Sequence, residues 1–159
     1  MSRTALIRLV VACALSFTTA GAGKALTVLG PWYYGLKHPA WKPPDAAFGV
    51  IWSIIFTLCA ISGWLAWQAA QTRADRRRVI GLFGLNAVLN VLWSALYFTW
   101  QRPDWALYEV GLLWLSILAL ILGLWRLSRL AGLLLLPYAV WVGIAAALNL
   151  ATVRLNGPF

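Results

Sequence analysis

Thirteen residues, Trp32-Tyr33-Tyr34-Gly35-Leu36-Lys37-His38-Pro39-Ala40-Trp41-Lys42-Pro43-Pro44, concentrate the side chains best suited to binding chemistry. Their indole and phenol rings can stack on a flat partner or meet it edge-on. Lys37, His38 and Lys42 add donors and positive charge that suit carboxylates. Pro39, Pro43 and Pro44 fix φ, remove donors and push the preceding residues to extended geometry, so the stretch reads as neither helix nor central strand. A stiff, aromatic, cationic connection of this kind is fitted to cover a flat apolar or anionic ligand. The rest of the chain offers little conventional catalytic chemistry. No nucleophile–histidine–carboxylate set, phosphate loop or metal-ligand cluster occurs, which weighs against a hydrolase or metalloenzyme. His38 has the chemistry to ligate a haem iron, but a lone loop histidine is more often an ordinary polar residue. Cys13 and Cys59 lie inside apolar runs and read as small buried hydrophobes.

The elements that must position these residues are membrane spans. Of 159 residues, 62% are hydrophobic and only 11% charged, far from the balance of a soluble domain. Five apolar runs, 5–22, 46–70, 79–100, 105–125 and 130–153, approach or exceed the ~20 residues that cross a bilayer. Lipid leaves backbone groups nothing external to bond, so helices are required. The fold expectation is an all-α, single-domain bundle of five transmembrane helices, with a loop over 23–45 joining the first two. The first run, with Arg3 before it, Arg8 near its start and Thr19-Ala20-Gly21-Ala22 at its end, also has the form of a cleavable leader.

The net charge of +9 falls at segment ends, which points to topology rather than to nucleic acid. Arg3, Arg8, Arg73, Arg76, Arg77, Arg78, Arg126 and Arg129 lie on one side; Lys24, Lys37, Lys42, Arg102 and Arg154 lie on the other. This bias predicts a cytoplasmic amino terminus, with the aromatic loop facing away from the cytoplasm. Trp32, Trp100, Trp105 and Trp125 stand near span ends, where amphipathic rings favour the interface. Glu109, near Arg102, reads as a snorkelling or paired carboxylate.

Helical periodicity sorts the interior. Trp141, Ala145 and Asn149 share one stripe of span five; Ala139, Gly143 and Ala147 form a small-residue stripe about 200° away, suited to close helix packing. Asn86 and Asn90 are one turn apart on span three, with Trp93 three residues on, and Trp52 and Phe56 share a face of span two. Two readings are open from spacing alone. These residues are either aromatic packing with asparagines as interhelical glue, or the lining of a site with room beside Ala145.

The motifs resemble the tryptophan-rich sensory protein/translocator protein family, TspO/MBR, also called the peripheral benzodiazepine receptor family. Its loop pattern is met by Trp32, Tyr33, Leu36, Pro39, Trp41, Pro43 and Pro44, with His38 where the family usually has lysine. Phe48-Gly49-x-x-Trp52, Asn90-x-x-Trp93 with Tyr97-Phe98, and Pro137-Tyr138-x-x-Trp141 with Ala145 and Leu148-Asn149 resemble its second, third and fifth helices. The likeness covers about residues 5–155. It implies a bundle, often a homodimer, with a pocket under the loop between helices one and two. It further implies that the pocket takes tetrapyrroles, protoporphyrin IX or haem-related, as ligands rather than obligatory cofactors, and isoquinoline or benzodiazepine compounds. Carried over by position, the pocket falls on Tyr33, Trp41, Trp52, Phe56, Asn90, Trp93, Trp141 and Ala145, with Lys37, His38 and Lys42 available to propionates. Trp41 is expected to cap it and Trp32 to anchor the loop at the interface. The tyrosine of the animal sterol pattern is missing from Leu148–Arg154, as suits a bacterial member. Three functions fit: a tetrapyrrole-binding receptor or sensor, a light- and oxygen-dependent porphyrin-degrading enzyme, and a tetrapyrrole transporter. The last usually requires inverted repeats or broken helices, and the sequence displays neither.

Overall fold

A computed structural model describes residues 2–159, and all regular elements among them are helices. Five helical segments are long and apolar enough to span a membrane: Arg3–Leu26 (α1), Asp45–Ala69 (α3), Arg73–Thr99, Pro103–Trp125 (α5) and Arg129–Asn156. The shortest of them, 23 residues, extends roughly 35 Å at 1.5 Å per residue, enough to cross the hydrocarbon. The third segment is α4 (Arg73–Ser94) continued by a π-helical turn over Ala95–Thr99. The fifth is a short α6 (Arg129–Leu133) followed by α7 (Leu136–Asn156).

Two spans differ from their apolar runs for local reasons. Span three starts six residues before Val79, because Thr72 and Asp75 form a capping box in which Thr72 Oγ1 accepts from the Asp75 amide at 3.0 Å and Asp75 bonds back at 3.1 Å. Arg73, Arg76, Arg77 and Arg78 therefore belong to the first turns of α4 rather than to a loop, and Arg76 lies over the Trp67 ring. Span five is interrupted at Leu134–Leu135, where the sequence pattern suggested an unbroken helix. Pro137 has no N–H for the Leu133 carbonyl and its ring crowds that turn, so the helix restarts with proline in its first turn.

The loop also departs from expectation. Pro31 opens a single helical turn, α2 (Pro31–Gly35), so Trp32 and Tyr33 are helical, while residues 27–30 before it and 36–44 after it are not. Proline at the first helical position suits such a turn, since the N–H it lacks would have had no partner there.

At the centre stands α5, with ten buried residues, packed against α4 and α7. Ile117, Leu120, Leu124, Leu135 and Val142 form the driest part of the core. The outer helix is α1, with only Ala5 and Gly23 buried; it lies along α3 and α4. It is held to α3 by Ser16 Oγ donating to the Phe56 carbonyl (2.6 Å) and Trp64 Nε1 donating to the Ala5 carbonyl (3.0 Å). Residues 19–22 are simply part of α1. Outward faces carry Val10, Leu15, Ile54, Val88, Leu122 and Val140, all exposed, as a lipid-facing surface demands. The small-residue stripe of span five packs only in part: Ala139 is buried and its carbonyl accepts from Trp114 Nε1 (3.0 Å), but Gly143 and Ala147 are exposed. The asparagine-bearing stripe took the interior instead, because an amide in hydrocarbon needs partners and small apolar residues do not.

Candidate functional site

Helices α3, α4 and α7 bring most of the predicted residues to one interior region. On α3, Trp52 stacks on Phe56 one turn later (centroids 5.5 Å, 29° between planes) and meets Tyr138 of α7 edge-on at 6.0 Å. Asn90 of α4 donates through Nδ2 to the Tyr138 hydroxyl (3.0 Å); that hydroxyl donates to Asn86 Oδ1 (3.2 Å), and Asn86 Nδ2 donates to Ser116 Oγ on α5 (2.8 Å). Higher in the bundle, Trp93 Nε1 donates to Asn149 Oδ1 (3.3 Å), whose Nδ2 donates to the Pro103 carbonyl (2.8 Å). Tyr97, tilted against Trp93 at 5.3 Å, donates to Thr152 Oγ1 (3.4 Å). Trp141 and Ala145 are buried between these levels, and Trp141 meets Phe48 edge-on at 5.5 Å. Asn86 and Asn149 are therefore interhelical glue, whereas Trp52, Phe56, Asn90, Trp93, Trp141 and Ala145 share a region. Trp141 also lines an apolar groove of about 460 Å³ on the α3/α7 face, with Ile51, Ile54, Ile55, Pro137 and Val140.

Most buried polar side chains here are satisfied, which makes the exceptions informative. Within the spans, Trp141 Nε1 and both carboxyl oxygens of Glu109 are buried without a hydrogen-bond partner among the described residues. Glu109 neither snorkels nor pairs with Arg102, as its position in the sequence suggested. Arg102 precedes α5, is ion-paired with Asp104 and stacks on Trp105. Glu109 shares the buried face of α5 with Ala106, Val110 and Leu113 and is only 5% exposed.

Above this region the loop is latched to the bundle. Tyr33 is buried against His38 and Phe98, and its hydroxyl donates to Asp45 Oδ1 (2.9 Å). Lys42 pairs with the same carboxylate and lies over the Tyr33 and Phe48 rings. Burial and then Asp45 push the Tyr33 phenol well above its usual range, so it remains a donor. Asn156, at the end of α7, accepts from the Lys37 amide (2.7 Å) and donates to the Lys37 carbonyl (2.9 Å). The Lys37 side chain is exposed and makes no ion pair among the described residues, whereas Lys42 is already engaged.

The two loop tryptophans differ in exposure. Trp32, on α2, meets Tyr97 edge-on at 6.2 Å, whereas Trp41 sits in the turn closed by the Lys42 amide and the Pro39 carbonyl and is 53% exposed. The unforeseen helical turn faces Trp32 inward and the following turn faces Trp41 out. Trp41 is exposed, as are Trp100, Trp105 and Trp125.

Burial, followed by the neighbouring Lys42, lowers the pKa of His38 against the opposing effects of the Tyr33 backbone and Asp45. His38 is thus neutral at pH 7 and offers a hydrogen bond rather than a charge. The opened loop binds a proton near the ordinary value of 6.5, and the latched loop resists it to lower pH. Latching should therefore weaken as pH falls below about 6.5. Amide exchange over residues 33–42, corrected for its intrinsic rate, should be faster at about pH 5.5 than at 7.5, and His38→Asn should abolish the difference.

Tyr138, bonded to Asn90 and edge-on to Trp52, and the unpartnered Glu109 are the two interior residues that sequence reasoning did not single out for this region. Tyr138 lies three residues before Trp141, hence on the same face, and Glu109 follows the phase of Ala106 and Leu113.

Comparison with known proteins agrees with the motifs. Residues 6–155 match the TspO/MBR family model. The chain is 36% identical over 158 residues to Protein CrtK of Rhodobacter capsulatus, covering 98% of this chain and 95% of that protein. It is 35% identical over 126 residues to Tryptophan-rich protein TspO of Chlorobaculum tepidum, covering 79% and 80%. It is 29% identical over 126 residues to the human Translocator protein, covering 79% and 75%.

Proposed function

The chain belongs to the TspO/MBR family, and on that premise we propose that it is a membrane receptor or sensor binding tetrapyrroles such as protoporphyrin IX in the interior region beneath the loop. The observation that carries this reading is Trp141: an indole 7% exposed, its N–H without a partner among the described residues, one turn from Ala145 and edge-on to Phe48 of α3. A buried donor without a partner costs free energy, which a ligand acceptor would recover. Trp52, Phe56 and Trp93 supply faces and edges for a flat π-system. At the mouth, Lys37 is free to meet a propionate, Lys42 would have to leave Asp45 to do so, and His38 supplies a neutral donor. Isoquinoline and benzodiazepine compounds, flat and uncharged, suit the same rings.

The basic residues on the first turns of α1 and α4 favour a cytoplasmic amino terminus. The loop and the carboxyl terminus, joined through Asn156, then share the opposite side. A homodimer is the assembly that the family resemblance suggests.

Titration with protoporphyrin IX in the dark, read by tryptophan quenching, tests the site. Trp141→Ala should weaken binding at least about tenfold, and Ala145→Phe should weaken it more by filling the space the ring needs. Unchanged affinity in both variants would sink the assignment.

A further inference from the structure

Resting on the reading of this interior as a tetrapyrrole site, we propose that Glu109 recognises the pyrrole N–H hydrogens at the centre of the ring, so that the site selects metal-free tetrapyrroles over their metal complexes.

A carboxyl group inside a helix bundle is ordinarily paired, because hydrocarbon offers it nothing else. Glu109 is 5% exposed and neither oxygen has a partner among the described residues. No hydrogen bond or ion pair among the described residues gives it a structural role. The nearby cation, Arg102, is committed to Asp104, and the neighbours on its own face, Ala106, Val110 and Leu113, are apolar. The amides of the interior are also engaged: Asn90 with Tyr138, Asn86 with Ser116, and Asn149 with both Trp93 and Pro103.

Two of those bonds set the height of Glu109. Pro103, bonded to Asn149, lies six residues before it, roughly 9 Å along α5; Ser116, bonded to Asn86, lies seven residues after it, roughly 10 Å. Antiparallel α7 contributes Trp141 and Ala145 between its bonded residues Tyr138 and Asn149, and α4 contributes Asn90 between Asn86 and Trp93. Glu109 thus stands at the level of the residues assigned to the ligand. It carries two acceptor oxygens where the rest of the region presents rings and one free indole donor.

A flat ligand that complements an acceptor at this level must carry donors within its apolar body rather than at its edge. A metal-free tetrapyrrole does: it has two inward N–H groups, and puckering of the ring turns them toward an oxygen lying over its face. Insertion of a metal removes both. The metal-free ring satisfies a group that is unpaired in the free protein, whereas the metal complex leaves it as it was, so the bond favours the metal-free ring.

The test uses the full-length protein in detergent with protoporphyrin IX and its copper(II) complex, which keeps ring and propionates, lacks N–H and has little tendency to take an axial ligand. The wild-type protein should bind the metal-free ring at least about tenfold more tightly. Glu109→Leu should bring the ratio to about one by weakening the metal-free ring alone. Glu109→Gln, which retains one acceptor oxygen, should lie between and carries the test alone if the leucine variant does not fold. A wild-type ratio near one, or a ratio unchanged in the variants, overturns the proposal. The Ala145→Phe variant separates the two failures. If it blocks both probes while the ratio ignores Glu109, only the selectivity assignment fails; if it blocks neither, the site itself is misplaced.

Discussion

Replacing Asn149 with leucine is expected to lower the stability of the bundle by about 2 kcal/mol, although leucine has nearly the same shape. Asn149 is 1% exposed and uses both ends of its amide, accepting from Trp93 and donating to the Pro103 carbonyl. The substitution would leave an indole N–H and a carbonyl without partners in a dry interior. Each such loss costs about 1–3 kcal/mol in soluble proteins. Interhelical bonds in lipid average nearer 0.6 kcal/mol, because the unfolded chain in the membrane also finds partners. Two losses under those discounts give the stated figure. For a chain of this size the thermal midpoint in detergent should fall by roughly 4–8 °C. An unchanged midpoint would show that the amide is replaceable and that α5 and α7 are joined by apolar packing alone.

The opposite sign is expected two turns away. Glu109→Leu should raise stability by about 1–3 kcal/mol, because it removes two unsatisfied buried oxygens and leaves no partner behind. The same unfolding assay reads both variants, and their opposite shifts would exclude a general intolerance of leucine in this interior. Stabilisation on loss of a residue marks a group retained for something other than folding. A midpoint lowered by Glu109→Leu would reveal a structural partner for the carboxyl group and would count against a binding role.

The five spans were legible because bilayer thickness imposes a length that composition reveals directly. Their ends were less so. A hydropathy reading begins at Val79 and passes over Thr72 and Asp75, whose capping box starts the helix among arginines. Pro137 signals the break in span five, but the surrounding leucines conceal it. Within the site, four-residue spacing correctly grouped Trp52 with Phe56 and Trp141 with Ala145, because shared faces are a property of the helix itself. The roles of Trp32 and Trp41 were not legible in the same way. Their directions depend on one helical turn whose orientation is set by contact with Tyr97 and by the turn at Pro39. Glu109 was misread through nearness in sequence to Arg102, when its phase relative to Ala106 and Leu113 was the better guide.

The double bond between Asn156 and the backbone of Lys37 ties the last turn of the fifth span to the middle of the covering loop. A load applied at the carboxyl terminus, by a fusion, a surface tether or a neighbouring protein, acts on that loop with the leverage of a whole helix. The same load at the amino terminus acts at the far end of α1, where Ala5 and Arg8 meet Trp64 and Gln68. The tail is in effect a handle on the loop, and the opening of the loop becomes mechanically adjustable from one end of the chain.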